Sequence, residues 1–200
     1  MTTKTISAKQ VKELRDRTGA GMMDCKRALR EADGDMEQAT HLLRVRGVAK
    51  AAQRAARETS EGAVGSYIHM NGRIGVLIEV GCETDFVAKT DDFQRLVFEL
   101  AMHIAAAAPL AVREGEIPPE VAERERKVYL EQVRESGKPE KVWDKIVSGK
   151  MQKFHAERVL LKQPFVKEPD ISVEDFVTRV AARTGEKIEV RRFTRYALGE

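Results

Sequence analysis

The chain has 200 residues, 42% of them apolar and 34% charged, with a net charge of +3, enough to bury a core and remain in water. Acidic and basic residues interleave, so no basic face argues for nucleic acid. Only the first 60 residues lean positive, with 13 Lys and Arg against 8 Asp and Glu. Two distant cysteines, no apolar run near the ~18–20 residues of a membrane span and no leader-like segment in "MTTKTISAKQ" predict a cytoplasmic protein with no disulfide framework, metal site, cofactor or membrane partner.

Ser7 is placed to cap a short first helix with Val11 and Leu14 on one face. "TGAG" (18–21) breaks it. A second helix is predicted from Met22 to Ala32, carrying Ala28 and Leu29. After the "DGD" stop (33–35) a third runs from Met36 to Arg46, with Gly47 as its end. Three short helices joined by Gly-containing turns make a small bundle, and the Ala-rich stretch after Gly47 reads as a helical linker. The expected division is a three-helix domain with its linker over 1–55 and an α+β core over 56–200.

The core opens with "AVGSYIHMNGRIGVLIEV". Asn71-Gly72 supplies the positive φ angles of a type I′ turn, so two strands form a hairpin with Ile74, Val76, Ile78 and Val80 on a buried face. "CETDFVAKTDDF" (82–93) connects this hairpin to a long helix capped by Thr90. There Phe93, Leu96, Val97, Leu100, Ala101, Ile104 and Ala105 form an apolar stripe. Pro118-Pro119 opens a helix to about Ser136, and 140–158 continues helical, giving a helical hairpin arm. "RVLLKQPFV" is strand-like. Ser172 with Asp175 forms a capping box for a helix bearing Phe176, Val177, Val180 and Ala181, closed by Gly185. The final strand sets Ile188, Val190 and Arg192 against Glu189, Arg191 and Phe193, and ends the chain on an edge for a partner subunit to cover.

The sequence holds no phosphate-cradling glycine motif. Its four histidines are scattered, and no Ser or Cys has an obvious paired base, so an enzyme is not expected. The chemistry that remains is apolar. Met22 and Met23 point about 100° apart on one helix. Either one is buried and the other incidentally exposed, or the pair is an adaptable contact for a partner. Phe86 either folds back as a lid over the hairpin core or projects as an anchor. Pro164-Phe165-Val166 is a third candidate on the same terms.

"VKELRDRTGAGMMDCKRAL", "CETDFVAKTDDF", "GSYIHMNGRIGVLIEV", "SGKPEKVWDKIVSGKMQKF", "QPFVKEP" and "TGEKIEVRRF" resemble, in order and nearly end to end, segments of the bacterial elongation factor Ts family. The resemblance implies a ubiquitin-associated-like bundle for the first three helices and guanine-nucleotide exchange on elongation factor Tu. Asp85 and Phe86, within Thr84-Asp85-Phe86-Val87, would enter the partner near its magnesium and nucleotide, with the ring wedged between two partner helices. Met22 and Met23 would pack against another helix of the same domain. His69, Val166, Thr184 and Gly185 fall on segments that carry further contacts. The chain resembles the short, single-core form, which implies a homodimer completed across a two-fold axis. The alternative is a protein-binding adaptor built on the bundle, with Thr84–Val87 as core.

Overall fold

In the computed structural model, which describes residues 6–200, Ser7 opens α1 (Ala8–Thr18) through a capping box. Its hydroxyl accepts the Gln10 N–H at 3.2 Å, and its own N–H donates to Gln10 Oε1 at 3.0 Å. Asp35 caps α3 (Met36–Arg54) by accepting the Gln38 N–H at 2.8 Å. Between them lies α2 (Met22–Glu31). Val11, Leu14, Cys25, Ala28, Leu29, Ala39 and Leu43 close a common core among the three helices.

α3 does not stop at Gly47. A glycine inside a helix costs about 1 kcal/mol relative to alanine, but the residues after it are mostly strong helix formers, and the helix is tied to α8 (Val173–Thr184) on both sides of Gly47. Arg44 makes a two-pronged contact with the Asp175 carboxylate at 3.2 and 2.9 Å, and Arg54 donates to the Ala181 carbonyl at 3.1 Å. The stretch expected to be a solvated helical linker continues α3 without a break; it is largely exposed, and Arg54 ties its end to α8.

The fold is α+β. β1 (Glu61–His69), β2 (Ile74–Cys82) and β5 (Ile188–Ala197) form a small antiparallel sheet in the order β1-β2-β5, so β1 and β5 are its edges. In the hairpin turn Asn71 and Gly72 take φ of 54° and 88°, as a type I′ turn requires, but Met70 joins them at 51°. Three left-handed residues in a row widen the turn, and the Arg73 N–H reaches both the His69 and Met70 carbonyls.

α5 (Asp91–Ala107) buries every member of its predicted stripe, and Val76, Ile78 and Val80 of β2 are buried as well. β5 departs from simple alternation. Ile188 and Val190 are buried, Arg191 and Arg192 are both exposed, and Phe193, Arg195 and Ala197 are then half-buried. Arg192 is therefore not on the buried face.

The chain divides into two compact units, and the face change in β5 falls at their boundary. One unit holds the chain up to Gly65, Glu79–Glu99 and Asp175–Val190; the other holds Ser66–Ile78, Leu100–Glu174 and Arg191–Glu200. The second unit contains the arm, α6 (Pro119–Glu135) packed on α7 (Trp143–Arg158), and a short ladder of β3 (Pro164–Phe165) with β4 (Glu168–Ser172). "RVLLKQPFV" is not one strand: Val159 bridges to Ala111, Leu160–Lys162 form a 3₁₀ turn, and Pro164 and Phe165 pair with β4.

His103 is a structural histidine of the second unit. It is 1% exposed; its Nε2 lies 2.9 Å from Gln163 Oε1, and its Nδ1 accepts the Val166 N–H at 3.2 Å. These partners require the neutral ring with its proton on Nε2. Burial, partly offset by the Gln163 bond, pushes its pKa below the ordinary 6.5. A base with a depressed folded-state pKa contributes fully above 6.5, and the contribution is lost as pH falls from there toward the folded value. The expected result is a loss of unfolding free energy between about pH 7 and 5.5 that is absent from His103→Asn. Denaturant titrations of both proteins across that range measure it.

Candidate protein-interaction site

The connector after β2 is one turn of helix, α4 (Asp85–Ala88). Thr84 caps it from an extended conformation, its hydroxyl accepting the Val87 N–H at 3.4 Å. Behind the turn, the Thr90 hydroxyl donates to the Val87 carbonyl at 2.8 Å, and Gln94 Nε2 donates to the Ala88 carbonyl at 2.7 Å. The Cys82 thiol donates to the Thr84 carbonyl at 3.2 Å. A four-residue helix has almost no stability of its own. These bonds hold it.

The turn sorts its side chains sharply. Val87 and Ala88 are 8% and 7% exposed and face the interior. Phe86 is 80% exposed. The ring is an outward projection from a pinned backbone, not a lid. Val87, expected with its neighbours as a contact, instead turns its side chain inward and anchors the turn. Asp85 is exposed and pairs with Lys89 four residues on, at 2.6 Å. The Lys89 ammonium holds the Asp85 carboxyl below the usual carboxylate range, so Asp85 is charged at neutral pH.

The N-terminal candidates belong to the same unit. Met22 and Met23 are 56% and 70% exposed, so neither fills the bundle core. They open α2 directly after Gly21, which gives no side-chain cap. Asp24 beside them pairs with Lys50 of α3 at 2.9 Å, stitching the first turn of α2 to its neighbour; the bond to Lys50 holds the Asp24 carboxyl below its usual range.

Thr184 and Gly185 end α8. The Thr184 hydroxyl donates back to the Val180 carbonyl at 3.1 Å, and the Gly185 N–H to the Ala181 carbonyl at 3.0 Å. Their neighbour Glu186 was not singled out by sequence. Its Oε2 accepts the N–H groups of Glu83 and Thr84, each at 3.0 Å, and its Oε1 accepts the Thr84 hydroxyl at 2.6 Å. The only sequence signal was its place between Gly185 and Lys187, because its partner lies 102 residues away.

The second unit carries the remaining candidates. His69 is exposed, its Nδ1 2.9 Å from the Tyr67 hydroxyl and its ring stacked on that of Tyr67. Val166 is 46% exposed, but Phe165 beside it is 1% exposed and tilted against His103. Of Pro164-Phe165-Val166, the aromatic is core and cannot anchor a partner.

Cys25 and Cys82 are both buried, and burial pushes both thiols up, which disfavours the reactive thiolate. Among the described residues no cluster of three or more His, Cys, Asp or Glu is placed to hold a metal, and no helix is long and apolar enough to cross a membrane. The arrangement offers exposed apolar side chains on braced backbone, which suits binding another protein.

The model of the family described as elongation factor TS matches residues 47–200. The chain is 56% identical over 196 residues to an elongation factor Ts of Desulfosudis oleivorans, covering 98% of this chain and 99% of that one. It is 53% identical over 195 residues to the elongation factor Ts of Thermosipho melanesiensis, covering 98% and 100%. The same protein of Geobacter sulfurreducens is 54% identical over 196 residues, covering 98% and 91%.

Proposed function

The chain belongs to the elongation factor Ts family, which makes it a translation elongation factor, and we propose that it is the guanine-nucleotide exchange factor for elongation factor Tu. The observation that supports this reading best is Phe86, 80% exposed on a turn braced from both sides. Leaving a large ring in water gives the free protein no packing energy. Inserted between two helices of a partner, it contributes fully.

Guanine nucleotides are held through their phosphates by backbone N–H groups and through a magnesium ion that demands near-octahedral oxygen ligands. A wedge that displaces the elements supplying those ligands by a small distance weakens the metal and then the diphosphate. Asp85, charged and next to the wedge, brings a carboxylate toward the same region. Met22 and Met23 give a second, adaptable apolar contact on the same GTPase domain. Thr84 and Val87 hold the turn in place. His69, Val166, Thr184 and Gly185 are peripheral contacts in this reading.

The energetics require only differential affinity. The factor binds the nucleotide-free partner more tightly than the GDP-bound one, so it shifts the population toward release. Linkage is reciprocal: nucleotide lowers the affinity for the factor by the same ratio. Incoming GTP therefore drives the factor off. No covalent bond is made or broken, no cofactor is needed, and the protein acts in the cytoplasm where translation runs. A homodimer is part of the proposal. β1 and β5 are sheet edges, and β1 presents Val64 and Ile68, 72% and 66% exposed and on one side of the strand by alternation.

The test is stopped-flow release of fluorescent GDP from elongation factor Tu with excess unlabelled GDP. The expected result is release that rises with the concentration of this protein and then saturates. Release unchanged at any concentration overturns the proposal and returns the chain to the adaptor reading.

A further inference from the structure

We infer that Glu186 is the positioning residue for exchange: its carboxylate sets the backbone from which Asp85 and Phe86 project. This role rests on the exchange activity proposed above.

The segment after α8 gathers bonds to separate parts of its own unit. Glu186 takes three donors from Glu83 and Thr84, the two residues that enter the turn. Two are backbone N–H groups at the start of a helical turn, where a negative charge is favoured. Lys187 next to it donates its N–H to Glu83 Oε1 at 2.5 Å, and its ammonium to the Ala55 and Arg57 carbonyls, each at 2.9 Å. Arg57 in turn pairs with Glu83 at 3.2 Å. Arg183, three residues before Glu186, lies against the Gly19 backbone and reaches Asp92 at 3.6 Å. The end of α8 and the "TGEK" segment that follows it thus brace both contact elements. One is the Phe86 turn, through Glu186. The other is the loop leading to Met22, through Arg183 against Gly19.

Glu186 is the member with the most direct hold on the wedge. Thr84 is the N-cap of α4, and its hydroxyl both donates to Glu186 Oε1 and accepts from the Val87 N–H. Without the carboxylate, the cap loses the partner that fixes its rotamer, and two backbone donors lose their acceptor. The ring would still be present, but on a turn that samples other geometries. A wedge held loosely loses rate more than affinity, because its insertion is what displaces the partner's ligands.

The experiment combines Glu186→Ala and Glu186→Gln with amide hydrogen exchange on the protein alone and GDP release from elongation factor Tu. Gln keeps a carbonyl oxygen for the two N–H groups and turns an amide N–H₂ to the Thr84 hydroxyl, so it should rescue. Expected for Glu186→Ala are Glu83 and Thr84 amides that exchange at least ~10-fold faster. The saturating release rate should be lower by about 10-fold, with a smaller change in the half-saturating concentration. Glu186→Gln should stay within about threefold of wild type. In a Phe86→Ala background, Glu186→Ala should change the rate by less than about twofold, since its effect passes through the ring.

The role is overturned if the amides of Glu186→Ala stay protected. It is equally overturned if release runs at the wild-type rate, or if the same factor is lost in both backgrounds. Should Glu186→Ala unfold, Glu186→Asp takes its place under the same criteria, since it keeps the charge but withdraws it by one methylene. A wild-type protein that does not accelerate release sinks the exchange reading and this role together. Normal wild-type acceleration with an unaffected Glu186→Ala sinks the role alone.

Discussion

Phe86→Ala should leave the protein folded and slow its stimulation of GDP release by about 30-fold. The two halves of this expectation come from the same number. At 80% exposure the ring packs against little of its own chain, and substitutions at such positions usually change stability by no more than about 0.5 kcal/mol. An aromatic anchor at the centre of an interface typically costs 2 kcal/mol or more when truncated. With tenfold in rate for each 1.36 kcal/mol, 2 kcal/mol corresponds to roughly 30-fold. Thermal melts establish the first half, and stopped-flow release at saturating factor the second. Phe86→Leu, which retains bulk without the planar ring, should fall between. Release that survives Phe86→Ala keeps the exchange function but moves the wedge, and Met22 with Met23 are the next exposed apolar residues of that unit to test.

Two exposures decide between the readings that sequence left open. A Met pair at helical spacing is equally compatible with one buried member and with none, because three short helices offer only a narrow core. The structure fills that core with Leu14, Leu29, Leu43 and small residues, and leaves both methionines out. Similarly, "DFVA" is too short to show a period, so spacing could not say whether Phe86 or Val87 faces inward. The sorting comes from Glu186, Thr90 and Gln94, which lie outside the segment they orient.

The legible parts were those whose causes are local. The α5 stripe, the Ser7 capping box and the Asn-Gly turn each follow from residues within a few positions of one another. What sequence missed has causes at long range. Helix α3 runs through Gly47 because α8, some 130 residues later, holds both its halves. β5 changes its buried face at Arg191-Arg192, where the chain passes from one unit to the other. Glu186 was read past for the same reason. The family resemblance names the segment, but only the fold shows which of its side chains touches the turn.

Gly62→Ala should be strongly destabilising, and it should reach the contact turn from the strand side. Gly62 sits at φ +145°, a conformation that residues with a Cβ rarely adopt. An added Cβ would lie 2.1 Å from the Val80 carbonyl oxygen and 2.8 Å from Gly81 Cα. Both obstacles are backbone, so no side chain can swing aside, and β1 must separate from the end of β2. Strain at a forbidden φ and overpacking each cost about 1–3 kcal/mol, giving about 2–6 kcal/mol together. For a chain of this length about 2–4 °C is lost per kcal/mol, so a melting temperature lower by roughly 4–24 °C is expected. Gly115→Ala is the control: its Cβ meets nothing within 4 Å, and the melt should stay close to wild type. The displaced residues run directly into Cys82 and Glu83, the entry to the Phe86 turn. Stimulated GDP release should therefore fall even at temperatures where Gly62→Ala remains folded. If Gly62→Ala melts with wild type, the close approach of β1 to Val80 is absent in solution. If it melts early but releases GDP at full rate while folded, the turn is held by Glu186 and Gln94 independently of the strand that leads into it.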